Sequence, residues 1–253
     1  MAVKVVITGA TSGIGEALAR EYAKQGATLA LIARRGQVLA QLKDSLSTTC
    51  FTYVADVRDT RAMQQAAADF VEERGCPDVV IANAGISRGT LTECPQDLEA
   101  FEAILDTNVA GMLKTFHPFL DGMRRQRHGM LVGIASIAGF RGLPGAGAYS
   151  ASKAAAIRYL ESLRVELRGS GVGVLTVCPG YIATPMTANN PYPMMFIISA
   201  EQAARKIVRA IERRRKFLII PWQMAILGRI FSILPLWLYD RALSKAPRKP
   251  RDF

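Results

Sequence analysis

The chain has few of the residues from which metal sites and disulfide frameworks are built. Its 253 residues include four cysteines and two histidines. Cys50, Cys76, Cys94 and Cys178 are scattered, form no Cys-x-x-Cys, and keep no ligand spacing with His117 or His128. No metal site and no disulfide framework is therefore expected, and a reducing, cytoplasmic setting fits best. No leading apolar segment with a small-residue cleavage site follows Met1, so no signal peptide is expected. Internal repeats, low-complexity stretches and an interdomain linker are also missing, and a half-hydrophobic chain of this length suits one large α/β domain. Acidic residues run short only near the end. From Glu201 onward 13 Lys/Arg stand against 4 Asp/Glu, so +9 of the net +11 lies in the last quarter.

What is present begins with a short apolar run, Lys4–Thr8, read as a buried strand. It leads into Thr8-Gly9-Ala10-Thr11-Ser12-Gly13-Ile14-Gly15 and then a helical pattern through Leu18, Tyr22 and Ala23. Strand, glycine-rich turn and helix together make a phosphate cradle, with the pyrophosphate at the helix N-terminus. The spacing is Gly-x-x-x-Gly-x-Gly rather than the general dinucleotide fingerprint. The second strand, Thr28–Ala33, runs into Arg34-Arg35 with no acid. An acid there would bond the ribose 2′-hydroxyl of NAD, whereas a planar guanidinium suits the 2′-phosphate of NADP. Further strands are predicted at 50–55, 78–82, 130–135, 171–178 and Phe217–Ile220. Helices are predicted at 60–73, over a continuous 96–124, and at 201–216. Alternating strands and helices imply right-handed crossovers and a parallel, doubly wound sheet of Rossmann type.

Tyr149 and Lys153 lie four apart at the start of an alanine-rich helical stretch, which puts them on one helix face. A free tyrosine titrates at about 10, too high for efficient proton transfer near neutrality. A neighbouring ammonium favours the phenolate, and the pair is expected to lower the tyrosine pKa. Such a tyrosine can give a proton to a carbonyl oxygen or take one from an alcohol.

Taken together, these residues resemble the short-chain dehydrogenase/reductase family in its common form of this length, over residues 3 to about 220. The turn through Gly9, Thr11, Ser12, Gly13, Ile14 and Gly15 looks like its glycine motif, and Asn83-Ala84-Gly85 looks like its Asn-Ala-Gly motif. Ala82 is a mild departure, since asparagine often precedes that motif. The resemblance makes Asn108, Ser136, Tyr149 and Lys153 the catalytic four. Ser136 would hydrogen-bond the substrate oxygen, and Asn108 would hold a water that relays protons to Lys153. The cofactor, NADP(H), would be held by the glycine turn, Arg34, Arg35, Asp56 and Val57, Asn83 to Gly85, Tyr149, Lys153, Pro179, Gly180, Ile182 and Thr184. Lys153 would bond the nicotinamide ribose, and Asp56 would contact the adenine. The implied reaction is hydride transfer between NADPH and a carbonyl, in a homo-oligomer, dimer or tetramer. A non-catalytic NADP sensor or scaffold on the same fold is the alternative.

The catalytic Rossmann domain is expected to span 1–220, with a substrate lid at about 185–199 and a separate apolar and basic tail at 221–253. The lid is apolar and methionine-rich through Pro191, Tyr192, Met194, Met195, Phe196, Ile197 and Ile198. That suits a hydrophobic carbonyl or alcohol substrate, and equally a loop packed on the body or a partner subunit. Residues 222–239 are apolar with tryptophans near both ends, interrupted by Arg229 and Pro235, and too short to span a bilayer comfortably. With the basic tail at Lys245, Arg248, Lys249 and Arg251, they read as peripheral membrane contact through 217–253 at the inner face of a membrane, or as packing on this or a neighbouring subunit. Nucleic acid is not the expected partner, because the aromatics sit in apolar runs and not among the arginines.

Overall fold

The structure, a computed structural model, describes residues 2–188, 190 and 193–251. The strands are β1 (Lys4–Thr8), β2 (Thr28–Ala33), β3 (Cys50–Val54), β4 (Val79–Ala82), β5 (Gly129–Ile134), β6 (Val172–Pro179), β7 (Ile182–Ala183), β8 (Ile198–Ser199) and β9 (Phe217–Ile220). Seven of them form one parallel sheet in the order β3-β2-β1-β4-β5-β6-β9, while β7 and β8 pair separately. The helices are α1 (Gly13–Lys24), α2 (Gly36–Asp44), α3 (Thr60–Arg74), α4 (Asp97–Leu105), α5 (Gly111–Arg125), α6 (Gly147–Glu166), α7 (Pro185–Ala188), α8 (Ala200–Glu212), α9 (Gln223–Ile233) and α10 (Leu236–Leu243).

Strands covered on both faces need apolar residues at every position, which explains the uninterrupted runs. Val5 and Ile7 turn to one face and meet Leu18 of α1 and Ile207 of α8. Val6, between them, turns to the other face with Phe70 of α3, Phe116 of α5 and Leu160 of α6. Each such fully buried side chain contributes about 1.5–3 kcal/mol of hydrophobic stabilisation. Because β1 is flanked by β2 and β4, strand order reverses beside it, and a crevice opens at the carboxyl ends of the strands.

Two helices differ from the sequence expectation. The continuous helix over 96–124 is interrupted by a π turn, Asp106–Ala110, between α4 and α5. The wider turn carries Asn108 inward, where it is 1 % exposed and its amide bonds two other elements. The helix expected over 201–216 ends at Glu212. Its start is held by a Ser199/Gln202 capping box, and beyond its end Arg214 takes φ 48 while its guanidinium donates to the carbonyls of Gly171 (2.8 Å) and Gly129 (3.3 Å). Hydrogen bonds to the starts of β5 and β6 replace the last helical turn.

The C-terminal helices are anchored to the loop after β5. A Cβ on Gly228 would stand 2.6 Å from the Phe140 ring, so this small residue lets α9 lie against that loop. Arg141 donates to the carbonyls of Phe231 (3.0 Å) and Leu234 (3.1 Å) and sits 4.2 Å from the Tyr239 ring centroid. The Tyr239 hydroxyl donates to Gly142 O at 2.5 Å. Met224 and Gly228 therefore face inward, while Trp222 (65 % exposed), Ile233 (81 %) and Trp237 (69 %) face outward with Ile226, Ile230 and Leu236. Among the described residues no helix is long and apolar enough to cross a membrane.

Candidate active site

The carboxyl ends of β1, β2, β4, β5 and β6 frame a cleft of about 760 Å³. Its first wall is the glycine turn. A Cβ on Gly9, which has φ +66, would stand 2.8 Å from Ala84 Cα, and one on Gly15 would stand 2.5 Å from Asn83 Nδ2. Only glycines let the turn close onto the end of β4. Asn83 fastens that contact, its Nδ2 donating to the carbonyls of Thr8 (3.0 Å) and Gly9 (3.1 Å). Thr8 Oγ1 accepts from the backbone N–H of Asn83 and of Ala84, a role the sequence reading missed. Gly15 supports the turn from behind, whereas Gly9, Thr11, Ser12, Gly13 and Ile14 line the cleft.

The second wall carries the charges. Arg35 donates to Thr11 O and Thr11 Oγ1, both at 3.0 Å, so its guanidinium lies against the glycine turn. Arg34 stands 3.8 Å from Asp56 and is well exposed. Asp56 also accepts a two-pronged bond from Arg58 (Nε 3.1 Å, Nη2 2.8 Å), which holds its carboxyl below the usual carboxylate range. Arg34, Arg35, Asp56 and Val57 all line this end. A concave site at a helix start with guanidinium groups beside it has the donor set for a dinucleotide.

At the opposite end Ser136, Tyr149 and Lys153 come together with Asn83, Ala84, Gly85, Pro179, Gly180, Ile182 and Thr184 around the same cleft. Lys153, 4 % exposed, donates to Ile134 O at 2.8 Å, and its ammonium lies 5.7 Å from the Tyr149 ring centroid. Burial pulls the Lys153 pKa down to about 8. Burial also raises the Tyr149 pKa, and a hydrogen bond with Ser136 offsets this only in part. The expected net lowering of the tyrosine is thus not met in the free protein, because desolvation outweighs the hydrogen bond with Ser136. Ser136 accepts from Ala138 N at 3.1 Å. Asn108 stands behind the cleft. Its Oδ1 accepts from Ile86 N (2.9 Å), and its Nδ2 donates to Ile86 O (3.0 Å) and Ser152 Oγ (2.9 Å). Ser152 in turn donates to Tyr149 O at 2.7 Å. Asn108 therefore ties β4 to α6 through two residues, Ile86 and Ser152, that no motif marks. Thr184 reaches over the glycine turn, where a Cβ on Gly13 would meet its Cγ2 at 3.0 Å. Pro191 and Tyr192 of the lid lie outside the described residues, as does Asn189.

The Lys153 value fixes the sign of a pH effect. Its ammonium is the major form below about 8 and is lost above it. A proton leaving Tyr149 needs that ammonium to stabilise the phenolate left behind. A reduction that takes its proton from Tyr149 should therefore fall in kcat/KM of the free enzyme as pH rises through about 8. A rate that rises through that range would contradict this assignment.

The family model described as short chain dehydrogenase matches residues 3–193. An uncharacterized oxidoreductase of Myxococcus xanthus is 38% identical over 240 residues, covering 94% of each chain. The crystal structure of a short chain dehydrogenase/reductase from Burkholderia phymatum in complex with NAD superposes with TM-score 0.83 at 25% identity, over 100% of this chain and 98% of that one. An alcohol dehydrogenase from Thermococcus sibiricus complexed with 5-hydroxy-NADP gives TM-score 0.76 at 27% identity, over 87% and 96%. The chain therefore belongs to the short-chain dehydrogenase/reductase family of oxidoreductases.

Proposed function

We propose that the protein is an NADPH-dependent reductase that converts a hydrophobic ketone to a secondary alcohol, or runs the reverse, with Tyr149 as the proton donor and acceptor. The observation that carries this reading is the convergence of Tyr149, Lys153 and Ser136 at one end of a cleft whose other end carries Arg34 and Arg35. Solved relatives hold NAD in one case and an NADP derivative in another. The choice of NADP therefore rests on the two arginines where an acid would mark NAD. NADPH, when bound, supplies the hydride. The chain's own residues do the rest. Ser136 orients the carbonyl oxygen, Tyr149 delivers the proton to it, and Lys153 compensates the charge left on the phenol. Asn108 fixes α6, and with it Tyr149, against the end of β4. Following NADPH absorbance with long-chain ketones tests the reading. Ketone-dependent loss is expected, and intact NADPH binding without turnover of any ketone would favour the non-catalytic alternative.

The outward apolar face of α9 and α10 supports a second element, contact with a lipid surface that would bring a hydrophobic substrate to the lid. Exposed Met186, Met195, Phe196 and Ile197 extend that apolar character to the lid. Full-length protein should float with anionic vesicles at low salt and release as the Debye length shrinks. Protein that stays in the soluble fraction at low salt would assign the face to packing against another copy.

A further inference from the structure

The end of the chain does not leave the body as a free basic tail. After α10 it returns to the two loops that follow β4 and β5, which leave the cleft at Ile86 and Ser136. Gly89 N donates to Pro250 O at 2.8 Å, and Arg88 donates to Arg251 O. Arg251 makes a two-pronged pair with Asp97 (Nε 2.8 Å, Nη2 3.2 Å), whose carboxylate is 3 % exposed and also accepts from Leu91 N at 2.8 Å. The two loops are themselves joined beneath this crossing, Thr90 N donating to Gly145 O at 3.0 Å. Both loops are shaped for it. A Cβ on Gly89 would stand 2.7 Å from Pro250 O, and one on Gly145 would stand 2.8 Å from Arg248 Cβ.

This crossing carries Lys249 to the reacting end. Its Nζ donates to Ser87 Oγ at 2.6 Å and lies 5.5 Å from the Tyr149 ring centroid. Tyr149 thus has an ammonium near its ring from each of two sources, Lys153 within its own helix and Lys249 from the end of the chain. Lys153 belongs to the reaction already described. Lys249 has no carboxylate within ion-pair distance among the described residues, and it is half-buried. Burial lowers its pKa, which means that its charge is held there at a cost. An incoming anion would remove that cost. Ser87, accepting from Lys249, keeps its own hydroxyl hydrogen to donate, so adjacent ammonium and hydroxyl donors are available to an incoming anion.

We propose that residues 248–251 form a strap that closes the substrate end of the cleft, and that Lys249 and Ser87 are a subsite for the anionic group, carboxylate or phosphate, of an amphiphilic ketone or alcohol. The proposal rests on the ketone-reductase reading and narrows it. The substrate has an apolar body, which suits the methionine-rich lid, and an anionic group within a few bonds of the reacting carbon. Arg251 and Asp97 are positioning residues that hold the strap down.

The test uses the full chain loaded with NADPH. Decanoate, decyl phosphate and uncharged decanamide are titrated calorimetrically below their micelle-forming concentrations. At least one anion should bind about ten-fold or more tightly than the amide. Lys249→Gln should remove that advantage and leave amide binding unchanged, Lys249→Arg should retain most of it, and Arg251→Ala should reduce it. The better of the two anions assigns the group as carboxylate or phosphate. Equal affinity for all three compounds, no binding of any, or an anion advantage that survives Lys249→Gln overturns the subsite. NADPH binding on the same samples separates the two readings. Its loss contradicts the cofactor assignment, whereas intact NADPH binding with no anion preference contradicts the strap subsite alone.

Discussion

Tyr149→Phe should abolish turnover while leaving NADPH binding within a few-fold of wild type. The phenylalanine ring keeps the half-buried packing beside Ser136 and Lys153 and loses only the hydroxyl. General acid–base groups contribute about 100- to 10,000-fold, so kcat should drop by at least about 100-fold. KM should change little, because the ring still fills its place. Fluorescence titration of NADPH beside steady-state kinetics checks both halves. A variant that retains near wild-type kcat would remove Tyr149 from the chemistry.

Wild type should prefer NADPH over NADH by about ten-fold or more in kcat/KM, which is about 1.4 kcal/mol of differential binding. Arg34→Asp should narrow or invert that preference. Arg34 is the better position to change, because Arg35 also braces the glycine turn through Thr11 and its loss would disturb both cofactors alike. Arg34 is exposed and only loosely paired with Asp56. An aspartate there would repel a 2′-phosphate and could accept from a free 2′-hydroxyl. Equal kcat/KM for the two cofactors in wild type would contradict the assignment.

The sheet and most of the cleft were readable in the sequence for local reasons. Strands buried on both faces must be continuously apolar, and a backbone that closes onto another strand must be glycine at Gly9 and Gly15. The supporting residues were less readable. The resemblance marked Asn108, but the π turn that carries it inward was read as part of a continuous helix over 96–124. Thr8 bonds backbone groups at the end of β4, and Ile86 and Ser152 bond the Asn108 amide, and no residue pattern announces such partners. The titration of Tyr149 was misjudged because desolvation depends on packing that spacing does not reveal. The tail was the largest gap. Its charge suggested an anionic surface as partner, but Arg251 finds Asp97 across 154 residues of sequence, a pairing only the folded chain brings about. The outward apolar face of α9 and α10 is the feature on which the lipid-contact proposal rests.

The most direct test of the central claim is label transfer. NADPH carrying deuterium at the transferable position is incubated with the protein and a series of long-chain ketones and keto acids, and the products are analysed by mass spectrometry. The account predicts a secondary alcohol with deuterium on the carbinol carbon from at least one keto acid, and none with Tyr149→Phe. NADPH bound to the wild-type protein with no labelled alcohol from any compound, or equal labelling by Tyr149→Phe, would contradict it.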